Sequence, residues 1–313
     1  MNRKIGTYGG FAPGPLLIVF GGVHGNEPAG IQAIEEVFRI LAQASTHPAR
    51  FLFQGTLVGL IGNLQAYQVG KRFLSKDLNR AWTSTLLRRI EQAPPFSLEA
   101  EDREIAELLA VVHTTIQDCQ PEHLVLLDLH TTSATGGVFC IPSDNQTSLD
   151  LAKALNTPVI LGLLDGIEGT LLQFAAEGHF EVGGWPKQVV GVAFEAGQHH
   201  EPLSVSRSIA AIFHSLCAVG CITEADATRL YQVEPPIQGE QLPQVTRLRH
   251  VQHVRPFSGF KMRPGYVNFQ PVRQNEHLAD DAEGPILSPC DGLILMPLYQ
   301  PQGADGFFIV TEE

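Results

Sequence analysis

The sequence predicts an α/β protein whose sheet is covered by helices on both faces, followed by a smaller β-rich region. Three observations support this prediction. Short apolar runs alternate with amphipathic stretches through about residue 230, and the runs themselves show no alternation of apolar and polar residues. After residues 233–236, Pro and Gly split the chain into short segments without a long helical pattern. Continuous apolar strands are typical of sheets buried on both faces, and alternating strands and helices build them.

The predicted strands are short apolar runs rich in branched residues. The first ends at Gly21-Gly22, and the third and last carry polar residues at their carboxyl ends. The predicted strands are Leu16–Phe20, Thr56–Ile61, Leu124–Leu129, Pro158–Leu164 and Val189–Phe194.

The predicted helices place apolar residues three or four positions apart, which gives each helix one apolar face. Pro28 fits the first turn of the first helix, because proline needs no hydrogen-bond partner there. The predicted helices are Pro28–Ala44, Glu101–Thr115, Leu149–Leu155 and Ser204–Val219.

The length of 313 residues leaves room for two domains. The change in composition near residue 233 divides the chain into residues 1–232 and a β-rich domain of residues 233–313. Domains of both sizes are common.

Composition excludes several classes of function. The 21 basic and 33 acidic residues give a net charge of −12, which disfavours nucleic-acid and anionic-lipid partners. No run of 18 apolar residues is present, so we expect no membrane span. The five cysteines are an odd number, which favours free thiols in a reducing cytoplasm over a disulfide framework.

A glycine-rich loop after the first strand carries His24 and Glu27. Imidazole nitrogen and carboxylate oxygen are good zinc ligands, and two such residues three positions apart can turn toward one point. A loop histidine beside a solvated glutamate would give the same pattern, so this motif alone is weak.

Polar residues also end two buried strands. Asp128 and His130 share one face of a strand, so His130 is a third candidate ligand and Asp128 a carboxylate that orients a ligand histidine. Glu195 follows a fully apolar strand, where a carboxylate is costly to bury without a partner. Beside a metal it is a candidate general base; a salt bridge to arginine is the alternative.

A basic loop carries Arg72, Asn79 and Arg80. Guanidinium groups with an adjacent amide suit the binding of a carboxylate and an oxyanion. A basic surface loop would look the same. Taken together, however, these segments follow strands or lie in loops, and open α/β sheets bind ligands beyond the carboxyl ends of their strands. Three protein ligands leave a fourth position for water, as in catalytic zinc sites.

Four motifs, in order, resemble the succinylglutamate desuccinylase/aspartoacylase family, a branch of the zinc carboxypeptidases. They are GGVHGNEPAG, GKRFLSKDLNRAW, DLHTT and FEAGQ, and they span residues 15–200. The resemblance implies a mixed sheet flanked by helices, as in zinc carboxypeptidases, and a catalytic domain over residues 1–232. It also implies one zinc ion per chain and cleavage of the amide bond of an N-acyl amino acid.

The resemblance carries roles to individual residues. It implies that His24, Glu27 and His130 bind zinc and that Glu195 is the general acid/base. By the same resemblance, Arg72 polarises the scissile carbonyl.

Asn79 and Arg80 match the residues of the family that hold the α-carboxylate. One departure concerns the arginine that binds a second carboxylate in aspartoacylases. The corresponding stretch, residues 183–189, contains Lys187 as its only cation, and lysine lacks the bidentate fork of arginine. This departure puts N-acetylaspartate in doubt as the substrate.

We therefore expect a cytoplasmic zinc amidohydrolase with a small anionic N-acyl amino acid as substrate. A metallocarboxypeptidase acting on peptides and a non-catalytic zinc-dependent binder are the alternatives. The oligomeric state is open, and a homodimer is one possibility.

Overall fold

The computed structural model describes residues 2–10, 13–45, 52–231 and 242–313. Fourteen β-strands occur in these ranges. They are β1 (Lys4–Gly9), β2 (Leu16–Gly21), β3 (Thr56–Ile61), β4 (His123–Thr132), β5 (Phe139–Pro142), β6 (Val159–Leu161), β7 (Gln188–Gln198), β8 (Val245–His253), β9 (Lys261–Met262), β10 (Gln270–Val272), β11 (His277–Asp281), β12 (Gly284–Leu287), β13 (Gly292–Leu295) and β14 (Asp305–Glu312).

Eight α-helices occur in the same ranges, together with three short 3₁₀ turns. The helices are α1 (Ala29–Ser45), α2 (Leu64–Gln68), α3 (Ser84–Gln92), α4 (Ala100–Cys119), α5 (Gln146–Ala154), α6 (Leu171–Ala176), α7 (Leu203–Ala218) and α8 (Glu224–Leu230). None of the described helices is long and apolar enough to cross a membrane.

Eleven strands form one mixed sheet in the order β1-β3-β2-β4-β7-β5-β6-β8-β14-β13-β10. The central strands β3, β2, β4 and β7 are parallel, whereas β5 is antiparallel to β7. The predicted α/β class, a large mixed sheet flanked by helices with a β-rich C-terminal region, is confirmed.

Side chains of the central strands alternate between two apolar cores. On β4, Leu124 and Leu126 face the core that contains α4 and α6, whereas Val125 and Leu127 face the core that contains α1 and α7. Both faces of these strands are therefore buried, which explains why their sequences are apolar throughout.

The C-terminal strands continue the large sheet, because β8 pairs in parallel with β6 through Val159 and Val245. Strands β9, β11 and β12 form a separate three-stranded sheet, which shares a small apolar core with β10, β13 and β14 of the large sheet. The predicted boundary between residues 232 and 233 lies outside the described residues, and the division into two domains stays a prediction.

All nine predicted elements overlap an observed element of the same type, but only four of them agree within two residues at both ends. Strand β6 is shorter than predicted, because the chain turns into a 3₁₀ segment at Leu164–Gly166. Strands β4 and β7 extend further than predicted and include His130 and Glu195. Six shorter or less periodic elements were not predicted, namely β1, α2, α3, β5, α6 and α8.

All five cysteines lie in the described ranges and none forms a disulfide, in agreement with the expected free thiols.

Candidate metal centre and active site

The register of the parallel strands brings the candidate residues to one edge of the sheet. Gly21 of β2 pairs with Leu129 of β4, and His130 of β4 pairs with Glu195 of β7. The carboxyl ends of the three strands therefore lie side by side. Asp128, His130 and Glu195 have the same parity as the residues that face α4 and α6, so all three project from that face of the sheet.

The loop after β2 needs glycine in order to place His24 and Glu27. Gly22 has a φ of +67°, in the left-handed region that favours glycine. A Cβ atom at Gly25 would lie 2.3 Å from backbone atoms of Ala66 and Tyr67, so a side chain there would push the two loops apart. The turn is closed by the Glu27 N–H, which donates to the His24 carbonyl over 3.0 Å.

His24, Glu27 and His130 form the predicted ligand group. One ligand atom from each residue lies within 4.8 Å of the others, and all three side chains are buried. Glu27 lies between the two rings. Its oxygens are 2.9 Å from Nδ1 of His24 and 3.1 Å from Nδ1 of His130.

A second carboxylate lies on the far nitrogen of each ring. Nε2 of His24 is 3.2 Å from Asp77, and Nε2 of His130 is 2.9 Å from Asp128. These contacts hold Nδ1 of both rings toward Glu27, as expected for ligand histidines oriented by carboxylates. The sequence predicted this role for Asp128 but not for Asp77, whose partner lies 53 positions away in the chain.

The carboxylates in and around the ligand group favour a positive charge at this position. Burial acts to lower the pKa of His130, but the negative charges of Asp128 and Glu27 outweigh it and hold the pKa well above its usual value. Burial acts to raise the pKa of Asp77, but the nearby Arg72 guanidinium and His24 hold it well below its usual value. A cation bound at this position would therefore be stabilised.

Glu195 is buried, and its Oε2 atom has no hydrogen-bond partner among the described residues. Burial is the main cause that raises the pKa of Glu195 to about 7; the positive charge of His130 opposes the rise and the negative charge of Glu27 adds to it. Within the described ranges this carboxylate thus forms no salt bridge to arginine, the alternative that the sequence left open.

Arg72 reaches the same group from the loop after α2. Its guanidinium contacts Asp77, with Nη2 at 3.0 Å, and its Nη1 is 3.6 Å from Glu27 Oε1. The loop is joined to the His24 loop by a hydrogen bond of 3.0 Å from the Gly25 N–H to the Arg72 carbonyl.

Asn79 and Arg80 lie on a 3₁₀ turn capped by Asp77. The Asn79 side-chain oxygen accepts from the Leu171 N–H over 3.1 Å, and its amide nitrogen lies 3.5 Å from His130 Nε2. The Arg80 Nη2 atom is 2.5 Å from Asp305 Oδ2 at the start of β14. Residues 303–306 look like an ordinary turn in the sequence, so this contact was not predicted.

All seven predicted site residues line one cleft. His199 follows Glu195 closely in the sequence, but its Nδ1 is 2.8 Å from the Thr131 hydroxyl and it is not in the ligand group. The Tyr299 hydroxyl donates to the Arg263 carbonyl at the surface, whereas its neighbour Gln300 lines the cleft.

Glu101, near the start of α4, organises the loop that carries Arg72, Asn79 and Arg80. Its side chain is fully buried and accepts five hydrogen bonds, from the Leu74, Ser75 and Lys76 N–H groups, the Ser75 hydroxyl and the Asn63 side-chain amide, at 2.5–3.2 Å. No sequence pattern indicated this role, because only the folded chain brings these donors together.

Comparison with known proteins places the chain in a family. A family model described as the succinylglutamate desuccinylase/aspartoacylase catalytic domain matches residues 13–183, more than half of the chain. The chain belongs to the succinylglutamate desuccinylase/aspartoacylase family. The matched segment contains six of the predicted site residues and ends before Glu195, so the assignment of Glu195 rests on its position in the cleft.

Curated members of the succinylglutamate desuccinylase/aspartoacylase family match parts of the chain. The succinylglutamate desuccinylase of Ectopseudomonas mendocina (strain ymp) is 37% identical over 81 residues, which cover 26% of this chain and 21% of that protein. The protein named "Probable aspartoacylase" from Prochlorococcus marinus (strain MIT 9313) is 29% identical over 151 residues, which cover 48% of this chain and 44% of that protein. Each match spans less than half of the relative.

A solved structure of the family has the same fold. The succinylglutamate desuccinylase/aspartoacylase from Rhodobacter sphaeroides matches with a TM-score of 0.64 at 18% identity, over 96% of this chain and 87% of that chain.

Replacing Glu101 tests how the loop is held. We expect Glu101→Gln to lower the free energy of unfolding by about 1–3 kcal/mol, because several buried donors lose a charged acceptor. Burial acts to raise the pKa of Glu101, but the Ser75 hydroxyl and the backbone N–H groups of Leu74 and Ser75 hold it below its ordinary value of 4.5. The charged Glu101 side chain therefore contributes its full stabilisation above pH 4.5, the ordinary pKa. This stabilisation is lost as the pH falls through the lower pKa of the folded state.

Urea unfolding of the wild type and of Glu101→Gln at pH 7 and pH 4 measures the difference in their free energies of unfolding. This difference should be smaller at pH 4. Glu91→Gln removes an exposed glutamate of α3 and is the control; its effect should stay within about 0.5 kcal/mol. A Glu101→Gln difference that is the same at both pH values would contradict the assignment.

Proposed function

We propose that this protein is a zinc-dependent hydrolase that cleaves the amide bond of an N-acyl amino acid, giving a carboxylate and a free amino acid. The observation that carries the proposal is the buried Glu195 carboxylate, whose Oε2 has no partner among the described residues and which lines the same cleft as the ligand group. Family membership supports the reaction class.

The residues of the ligand group fit a zinc ion. Two imidazole nitrogens and one carboxylate oxygen are a donor set that zinc uses in catalytic sites, and carboxylates on the far nitrogens strengthen such ligands. His24, Glu27 and His130 would hold the ion. When bound, zinc supplies Lewis acidity, which makes water more acidic and polarises a carbonyl.

Glu195 is assigned the proton transfers. Its carboxylate takes a proton from the attacking water as the bond forms between the water oxygen and the acyl carbon. It then delivers that proton to the amine nitrogen as the carbon–nitrogen bond breaks. A pKa raised to about 7 by burial suits a group that accepts and returns a proton near neutral pH.

Arg72 is assigned to the oxyanion of the tetrahedral intermediate. Asp77 fixes its Nε and Nη2 atoms, so the guanidinium is held in place before substrate binds. A donor oriented in advance stabilises developing charge without reorganising during the reaction.

Asn79 and Arg80 are assigned to the α-carboxylate of the amino acid. The Leu171 N–H holds the Asn79 oxygen, which leaves the amide nitrogen for the substrate. Arg80 lines the cleft and donates to Asp305 and to the Asn79 carbonyl, and a guanidinium with five N–H groups has further donors besides these two.

The C-terminal region favours a small substrate over an extended peptide. Met296, Leu298, Gln300 and the segment 303–305 of the C-terminal region also line the cleft. This lining favours the deacylase over the metallocarboxypeptidase alternative. The proposed cytoplasmic location rests on the five free thiols.

The metal assignment predicts about one zinc ion per purified chain. His24→Ala and His130→Ala should each lose most of it, because each removes one of three ligands. Elemental analysis by mass spectrometry measures the content. His199→Ala is the matched control, since His199 lies nearby without joining the group, and it should keep its zinc. Retention of zinc by His24→Ala would contradict the assignment of His24 as a zinc ligand.

Glu195→Gln separates an enzyme from a zinc binder. The substitution keeps the shape and removes the base, so turnover should fall by at least ~100-fold. Zinc content should stay unchanged, because Glu195 is not in the ligand group. Glu201→Gln, at a carboxylate paired with Arg207, is the control and should keep its turnover. Unchanged turnover in Glu195→Gln would place the base elsewhere, and loss of zinc would make Glu195 a ligand.

The two arginines should differ kinetically. Arg80→Ala should raise KM by roughly 10- to 100-fold, because a charged hydrogen bond to the carboxylate is lost in ground and transition states alike. Arg80→Lys should raise it less, since the charge remains. Arg72→Ala should mainly lower kcat, by about 10² to 10³, as for a lost oxyanion donor. Zinc content measured alongside excludes loss of metal. Equal effects of Arg72→Ala and Arg80→Ala on both parameters would refute this division.

A further inference from the structure

The cleft has an apolar wall beyond the ligand group. About 830 Å³ of empty space lies in the cleft, part of it open to solvent. Six of the apolar residues that line it are each less than 10% exposed. They are Ile141, Leu163, Ile167, Leu172, Ala193 and Phe308.

The apolar wall begins beside Glu195. Ala193 lies two residues earlier on β7 and thus on the same face of the strand. Ala193 pairs directly with Ile141 on the neighbouring strand β5, so both side chains project from that face. A substrate held at Glu195 therefore has apolar side chains next to the reacting amide.

The arginine side chains that line the cleft among the described residues, Arg72 and Arg80, already contact carboxylates. Five carboxylates lie in or against the cleft. A divalent ion and both guanidinium groups together would supply four positive charges, fewer than the five negative charges of these carboxylates. These carboxylates are Glu27, Asp77, Asp128, Glu195 and Asp305.

Lys187 does not supply the missing cation. It is exposed, donates to the Gly184 carbonyl over 2.8 Å and lies 4.7 Å from the centre of the Trp185 ring. It is not among the residues that line the cleft. A second carboxylate on the substrate would therefore enter an apolar, negatively charged space without a partner, which is unfavourable.

We propose that the substrate carries one carboxylate and an apolar group, either the side chain of the amino acid or its acyl chain, that occupies this apolar wall. This inference rests on the proposed function and narrows its substrate class. Apolar contacts of this kind distinguish substrates by about tenfold or more.

Two series of compounds test the proposal and identify which end is apolar. The first keeps the acetyl group and varies the amino acid through glycine, leucine, phenylalanine, aspartate and glutamate. The second keeps glycine and varies the acyl group through acetyl, butyryl, hexanoyl and succinyl. We expect kcat/KM for the best apolar compound to exceed that for the aspartate, glutamate and succinyl compounds by at least about tenfold.

A variant of the wall gives a second measurement. Ile167→Ala should lower the ratio of kcat/KM for the preferred large compound to that for N-acetylglycine by about tenfold. Leu287→Ala removes an exposed leucine of the C-terminal region and is the control for a general loss of apolar volume.

Binding to the Glu195→Gln protein, measured by calorimetry, keeps the proposal separate from the proposed function. Tighter binding of the apolar compounds than of the dicarboxylates supports the apolar wall even if the wild type hydrolyses none of them, an outcome that would overturn the hydrolase. A preference for the aspartate, glutamate or succinyl compounds, in turnover or in binding, would overturn the apolar wall and leave the hydrolase standing. Equal kcat/KM values and equal affinities for all compounds would also overturn the proposed apolar wall.

Discussion

Buried negative charge at the carboxyl edge of the sheet is the constraint on which the site depends. Glu27, Asp77, Asp128 and Glu195 are each at most 9% exposed. Carboxylates are costly to bury unless each has a charged or donating partner. Three of the four have imidazole or guanidinium partners, and the arrangement of those partners is the ligand group itself. The geometry of this group and the stability of this edge therefore have the same physical cause, namely the pairing of buried carboxylates, and the group could hold a metal ion.

The residues that the sequence proposed for the site line one cleft, and most of them could be picked out because they lie in or directly after a recognisable strand or glycine loop. His130 and Glu195 could be related from their positions in the chain, since the ends of parallel strands meet at one edge of a sheet. Asp77 and Asp305 were missed, because their partners His24 and Arg80 are 53 and 225 positions away. Nothing local distinguishes such a carboxylate from one in a solvated turn.

The secondary structure that was missed has a similar explanation. Helices α2 and α6 have five and six residues, too few to show a helical period. Strand β5 has four residues in a stretch punctuated by glycine. These short elements nevertheless place parts of the site, since α6 supplies the Leu171 N–H that orients Asn79. The parts of the fold that adjust the site thus carry the weakest sequence signal.

The C-terminal region belongs to the cleft as much as the parallel strands do. Strand β8 extends the large sheet, β14 pairs with β8, and Asp305 at the start of β14 contacts Arg80. The same region contributes Phe308 to the apolar wall. A net charge of −12 would repel the proposed anionic substrate at long range, so its recognition would depend on short-range contacts inside the cleft. In the proposed function Arg80 and Asn79 hold the single carboxylate and Arg72 is kept for the oxyanion, so the remaining selectivity would depend on the shape and apolarity of the wall.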